Sequence, residues 1–184
     1  MKRSILPCAL FVLPLLLGSC AALTPSEQLQ EMYVKTIEPP PQNKKMTRDD
    51  VEAMRKNIDR RAVRVRKLVE DEQVGTGEDS FRAAVILSKS ERLEDIALAQ
   101  ELALRAYEDG IEPGIEVVAH CMDKQLMMKR RPQLFGTQVV MDPETGKWRL
   151  WDLDPSTTDA KRDAFNIPPL HVLQERVEMQ NRPR

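Results

Sequence analysis

The chain has few of the residues on which metal and nucleophilic chemistry usually depend. Its 184 residues include two histidines and three cysteines, and two of these cysteines lie within the first 20 residues. No histidine pair has i, i+4 spacing and no two cysteines are neighbours, so we expect no metal site and no cofactor. A Gly-x-Ser-x-Gly turn and a Gly-x-x-x-x-Gly-Lys loop are also absent. The sequence therefore has none of the usual signatures of zinc sites, serine hydrolases or phosphate-binding loops.

An excess of positive charge is lacking as well. The chain carries 28 basic and 29 acidic residues, which gives a formal net charge of −1. Without Lys2 and Arg3, 26 basic residues remain against 29 acidic ones. This balance does not indicate a nucleic-acid-binding protein.

The first 20 residues have the order of a secretory signal peptide. Two basic residues precede an apolar run over residues 5–17, and two small residues lead to Cys20. The run is shorter than the ~20 residues that span a bilayer, although an uncleaved anchor remains the alternative. Residues 17–20, Leu-Gly-Ser-Cys, resemble the lipobox of bacterial lipoproteins. The resemblance implies that Cys20 is lipidated, palmitate included, and becomes the first residue of the mature chain.

The same resemblance gives an expected location. Ala21 rather than an aspartate follows the cysteine, which in enteric bacteria favours an outer-membrane lipoprotein facing the periplasm. Cys8 is removed with the signal peptide, so Cys121 is left as the free thiol and no intramolecular disulfide can form. We expect Cys121 to be a buried structural thiol, because it shares a helix face with Val118 and Met122.

The region after the signal peptide divides into a tether and a helical part. Residues 21–46 are predicted to form a tether, with one short helix at 26–37 and three consecutive prolines at 39–41. Thr47 and Asp50 resemble a capping box, and apolar residues at steps of three and four predict a long helix over 48–73. Further helices are expected around residue 81, after residue 90 up to Asp109-Gly110, and over 115–129.

The pattern changes after residue 131. Two β-prone segments flank the turn sequence of residues 142–146 and predict a β-hairpin at about 134–153. Short helices are expected at 158–165 and 170–179. The predicted fold is mostly α (α+β), with antiparallel, repeat-like helical hairpins and one C-terminal β-hairpin packed on them. We assign residues 47–184 to this single domain.

The C-terminal half also carries a recognisable series of motifs. Residues 132–138 read Pro-Gln-Leu-Phe-Gly-Thr-Gln, and Asp154-Pro155, Thr158-Asp159, Arg162 and Pro168-Pro169-Leu170 follow. The series resembles a bacterial family known only as a domain of unknown function, over about residues 80–180. This chain has Leu87-Ser88 where many members have Gln-His, and Met122-Asp123-Lys124 where they have Glu-Asp-Arg or similar. The resemblance implies no particular reaction.

Five polar residues of this region are the candidate site: Asp123, Gln133, Thr137, Gln138 and Arg162. Asp123 is placed to accept a hydrogen bond from Thr137, or to pair with Arg130 or Arg162. One interpretation is a structural polar knot, in which the glutamines tie a loop to the backbone. The other is a ligand or catalytic site built from the same groups.

Three functions remain open from the sequence. The favoured hypothesis is an envelope lipoprotein that binds or scaffolds an unknown ligand, with an envelope protein or peptidoglycan as partner. The alternative is a hydrolase-like enzyme with Asp123 and His120 as candidate catalytic residues beside Gln133 and Gln138. The third is a protein that faces an anionic polymer through Arg60, Arg61, Arg64 and Arg130.

Overall fold

The computed structural model describes residues 22–39 and 46–182, so the predicted signal peptide and Cys20 lie outside the described residues. Within these ranges the chain forms seven helices and two strands. They are α1 (Pro25–Ile37), α2 (Arg48–Glu70), α3 (Gly77–Leu87), α4 (Leu93–Glu108), α5 (Gly114–Met128), β1 (Val139–Met141), β2 (Trp148–Leu150), α6 (Asp159–Asp163) and α7 (Leu170–Gln180). None of the described helices is both long and apolar enough to cross a bilayer. The predicted fold class, mostly helical with a C-terminal β-hairpin, is confirmed.

Side-chain caps fix where the first helices begin. Thr47 accepts from the Asp50 N–H while the Asp50 carboxylate accepts from the Thr47 N–H, so the predicted capping box is formed. Thr24 and Glu27 make the same arrangement at the start of α1. Helix α2 ends at Glu70, three residues before the predicted end.

Helix α3 lies at the centre of the fold and packs against α1, α2, α4 and α5. Its apolar residues Ile86 and Leu87 are buried with Leu68 of α2 and Ile96 of α4. Helix α5 approaches α4 closely at Gly114, where an added Cβ would lie 2.6 Å from the Ala103 carbonyl oxygen. The main apolar core therefore surrounds α3, with α2, α4 and α5 packed against it.

Helix α1 packs into this core, although the sequence pattern predicted that it belongs to the tether. Leu29 is fully buried in the same apolar cluster as α2, α3 and α4. The Ser26 hydroxyl donates to the buried Asp79 carboxylate at 2.7 Å, and the rings of Tyr33 and Phe81 lie 6.0 Å apart. The domain start predicted at residue 47 therefore leaves out a helix whose apolar face is completed by α3.

The hairpin is shorter than predicted. Strands β1 and β2 pair antiparallel over three residues each, with Val139 opposite Leu150. The preceding stretch does not extend as a strand, because its backbone N–H groups turn toward a buried carboxylate on α5, and Gly136 there has a φ of +88°. On the other side, Asn181 after α7 bonds both backbone groups of Trp148 at 2.8 Å. The hairpin is thus held between α5 and the end of α7.

Candidate functional site

The carboxylate of Asp123 organises the loop that follows α5. Asp123 is 0% exposed, and its two oxygens accept from the backbone N–H groups of Leu134, Phe135 and Thr137 at 2.7–3.1 Å. The Thr137 hydroxyl donates to the same carboxylate at 2.9 Å. The Asp123 carboxylate thus accepts the hydrogen bonds that these three backbone N–H groups would otherwise make to a neighbouring strand.

Gln133 completes the loop from the other side. Its side-chain amide donates to the carbonyls of Gln138 and Trp151, at 3.0 and 2.9 Å, and accepts from the Gln138 N–H at 2.8 Å. Its backbone bonds to Asp152 and Asp154 at 2.8 Å. Both donors of the fully buried amide are engaged and its oxygen is bonded.

Arg162 anchors the same loop from α6. It is 2% exposed, and its Nε donates to the Phe135 carbonyl at 3.0 Å. One Nη donates to Asp159 at 2.9 Å and to the Thr157 carbonyl at 3.4 Å. Of the three partners predicted for Asp123, the structure shows Thr137 and pairs Arg162 with Asp159 instead.

Gln138 is partly buried, as Thr137 is, but its side-chain amide is not fully bonded in the described part of the chain. Its Nε2 donates to the His120 carbonyl at 3.3 Å and to the Thr137 hydroxyl at 3.0 Å. No hydrogen bond reaches its Oε1 among the described residues. We call Asp123, Gln133, Thr137 and Arg162 the polar knot, and Gln138 lies at its edge.

A groove opens beside the polar knot, between α3, α5 and β1. This α3–α5 groove has a volume of about 530 Å³. One part of its wall is apolar, with Phe81, Val85, Val117 and Val139. The other part is polar, with Ser88, Lys89, Glu116, His120, Lys124, Thr137 and Gln138.

Two lysines give this groove an unbalanced positive charge. The Lys124 Nζ donates to the Ser88 carbonyl at 2.8 Å, beyond the end of α3. Burial lowers the pKa of Lys124, and the positive charge of Lys89 lowers it further. Neither lysine forms an ion pair in the part of the chain that the structure describes. Glu116 is the one carboxylate in the described groove lining, and Glu91 also acts on Lys124, so an anion would meet two lysine amines against one lining carboxylate.

His120 lies on the α5 wall of the groove. Its Nε2 is 3.6 Å from a Glu116 carboxylate oxygen, and 43% of its side chain is exposed. Partial burial lowers the pKa of the imidazole; Lys89 acts in the same direction, and the carboxylates of Glu116 and Asp123 oppose it. His120 is therefore mainly neutral near pH 7 and becomes cationic in acid.

Cys121 points into the core instead. It is 0% exposed, and burial raises the pKa of its thiol to about 12. At neutral pH the residue is a protonated apolar side chain, in line with the predicted structural thiol. Over residues 22–39 and 46–182, no three His, Cys, Asp or Glu side chains lie close enough together to hold a metal ion.

The arginines of the third hypothesis separate into two places. Arg60, Arg61 and Arg64 line one groove between α1 and α2. Arg130 follows the end of α5 with a φ of +55° and does not line that groove.

Comparison of the chain with protein-family models, with curated proteins and with solved structures gives no significant match. The resemblance to the family with the Gly-Thr-Gln motif therefore stays a prediction.

Sequence reasoning missed Lys89 and Lys124 as groove residues. A signal for Lys124 exists, because it follows Val117 and Cys121 at i+7 and i+3 and so shares their side of α5. A lysine on a largely buried helix face either extends its amine to the surface or meets a buried acceptor. The sequence does not show which acceptor, since Ser88 lies 36 residues away.

Proposed function

We propose that the protein is a lipid-anchored binding module of the bacterial envelope and that the α3–α5 groove is its binding site. One contrast carries this proposal. The polar knot uses its hydrogen-bonding groups internally, whereas Lys89, Lys124 and the Gln138 Oε1 on the groove wall have capacity left for a ligand. The knot holds the loop and β1 in place, and the groove offers the contacts.

The groove favours a ligand that is partly apolar and partly anionic. Phe81, Val85, Val117 and Val139 supply an apolar wall, and burying apolar surface is worth ~25 cal/mol per Å². The lysines and the donors of the opposite wall fix the orientation of a charged end. An apolar molecule of the envelope that carries a carboxylate has this chemistry, and so does a protein segment with apolar residues and a carboxylate.

The hydrolase-like alternative has weaker support. Asp123 and Gln133 are fully buried and bonded to the loop, so they have no free atom to offer a substrate. His120 and Gln138 do reach the groove, but Ser88 stands where many members of the resembled family have histidine. Replacing Asp123 would alter folding, so His120→Gln is the better variant for separating turnover from binding.

The groove is tested with 1-anilinonaphthalene-8-sulfonate, a probe that combines aromatic rings with one anionic group. Its Kd is measured by fluorescence titration of the full chain and of two methionine variants. Lys124→Met keeps the aliphatic stem but removes the charge, and a lost charge-assisted bond costs ~1.5–3 kcal/mol, so Kd should rise about tenfold or more. Lys129→Met removes one exposed charge after α5, outside the groove, and should leave Kd within about twofold. Equal affinity of the wild type and Lys124→Met would place the probe elsewhere and contradict the proposal.

The anchor is tested separately in a bacterial host. Incorporation of labelled palmitate into the wild type and its loss in Cys20→Ser are the expected results. Cys121→Ser is the matched control and should retain the label, because Cys121 is buried. Label that persists in Cys20→Ser would contradict lipidation at this position.

A further inference from the structure

A second groove lies between α1 and α2. We call it the arginine groove; its volume is about 540 Å³, and its polar lining is Glu31, Lys35, Asn57, Arg60, Arg61 and Arg64. The two helices are joined here by Arg64, which donates two hydrogen bonds to the Gln28 Oε1, at 2.9 and 2.6 Å. These bonds hold α1 and α2 together at the groove.

Cationic side chains outnumber carboxylates in the described lining of this groove, and a further carboxylate, Asp50, lines the adjoining cavity with Lys35, Asn57 and Arg61. Four cationic side chains face one carboxylate, Glu31, which is already bonded to Lys35. Arg60, Arg61 and Arg64 form no ion pair with any described residue. Residues 1–21, 40–45 and 183–184 contain no aspartate or glutamate, so no side chain there can supply the missing charge.

Within the part of the chain that the structure describes, Arg61 has a buried guanidinium N–H without a hydrogen-bond acceptor, in addition to its unpaired charge. Its Nε is buried and has no hydrogen-bond partner among the described residues. Burial also lowers the pKa of its guanidinium. Buried donors in folded proteins are nearly always bonded, so an unbonded guanidinium N–H calls for a physical explanation. An anion bound in the groove would provide a counter-charge for this guanidinium.

We propose that the arginine groove binds a phosphate-bearing anion. Guanidinium groups present paired donors that match the spacing of phosphate oxygens, and three of them with a lysine suit a group that carries more than one charge. Asn57 adds an uncharged donor and acceptor to the same wall. The free anion and the headgroup of a phospholipid share this chemistry. This site is independent of the α3–α5 groove.

Isothermal titration of the full chain with inorganic pyrophosphate tests the free anion. Cosedimentation with phosphatidylglycerol and with phosphatidylcholine vesicles tests the lipid headgroup; an acyl anchor would insert into both, so the difference in bound fraction is measured. We expect pyrophosphate binding, a preference for phosphatidylglycerol, or both. Arg61→Gln should weaken the observed binding at least tenfold. Binding of pyrophosphate alone identifies a free phosphate compound as ligand, and a vesicle preference alone identifies the headgroup.

The matched control is Arg55→Gln. Arg55 lies on the same helix, is exposed and pairs with Glu91, so the variant loses the same charge outside the groove and should stay within twofold of the wild type. If Arg61→Gln does not fold, the double variant of the exposed Arg60 and Arg64 to glutamine decides in its place. Absence of both kinds of binding in the wild type, or equal losses in Arg55→Gln and Arg61→Gln, would overturn the proposal.

Discussion

The Asp123 Oδ2 atom accepts two hydrogen bonds from Thr137, one from the backbone N–H at 3.0 Å and one from the hydroxyl at 2.9 Å. Asp123 belongs to α5 and Thr137 lies two residues before β1, so this contact joins the helical body to the hairpin. Gly136 makes the turn between them with a φ of +88°, which a residue with a side chain rarely adopts. One buried carboxylate thereby positions the wall of the α3–α5 groove.

Asp123→Asn should destabilise the fold strongly. The new amide group would direct N–H donors at N–H donors, and a buried donor left without an acceptor costs ~1–3 kcal/mol. We expect the free energy of unfolding to fall by about 3 kcal/mol in urea denaturation followed by circular dichroism. Asp152→Asn is the control, because Asp152 is exposed and pairs with Arg149, and should change stability by less than about 1 kcal/mol. Equal stability of the two variants would show that the buried carboxylate is not needed.

Gly114→Ala should also destabilise, through packing. Its Cβ would lie 2.6 Å from the Ala103 oxygen and 2.9 Å from the Tyr107 nitrogen, and both are backbone atoms that cannot rotate away. Overpacking of this kind costs ~1–3 kcal/mol, and each kcal/mol lowers Tm by roughly 2–4 °C in a domain of this size.

Gly75→Ala is the control for this substitution, because nothing lies within 4 Å of its added Cβ. It should be neutral or raise stability by ~0.4–1 kcal/mol, since alanine restricts the unfolded chain. Thermal melts of both variants give the comparison. A Tm of Gly114→Ala equal to that of the wild type would mean that α4 and α5 separate at little cost.

The helices were predictable because their signals are local. The Thr47 cap and the apolar spacing of residues 48–73 depend on neighbours in sequence, and both gave α2 within three residues. The burial of α1 was not predictable in the same way. Leu29 becomes part of the core through α3, whose residues lie about fifty positions further along. Amphipathic character in a short helix does not identify its partner.

The members of the polar knot were predictable from the sequence, but their contacts only partly. Asp123 accepts from Thr137, and Gln133 bonds the backbone of Gln138 and Trp151, as one alternative of the sequence analysis expected. Arg162 was a predicted partner of Asp123, yet it bonds the Phe135 carbonyl, because α6 approaches the loop from another side. Spacing along a chain gives the chemistry available, and the direction of approach comes from tertiary packing.

Cys121 should not react in the native protein. Its thiol is 0% exposed and its pKa is raised to about 12, so the reactive thiolate is scarce at pH 8. Titration with a chromogenic disulfide reagent should detect no fast thiol in the folded chain and one thiol per chain in denaturant, if Cys20 is lipidated and Cys8 removed. Three thiols in denaturant would show an unprocessed chain. Fast reaction of the native protein would contradict the burial of Cys121, and Cys121→Ser identifies its contribution.

His120 should make stability fall in mild acid. Burial lowers the pKa of its imidazole in the folded state, so between that pKa and about 6.5 the unfolded chain binds more protons than the folded one. The contribution of His120 to stability is therefore complete above pH 6.5 and is lost as the pH falls below it. His120→Gln should reduce the decrease in urea midpoint between pH 7.5 and 5.5. His171→Gln, on the exposed side of α7, should retain the wild-type decrease. Identical pH profiles for the wild type and His120→Gln would show that the imidazole keeps the same proton affinity when the chain folds.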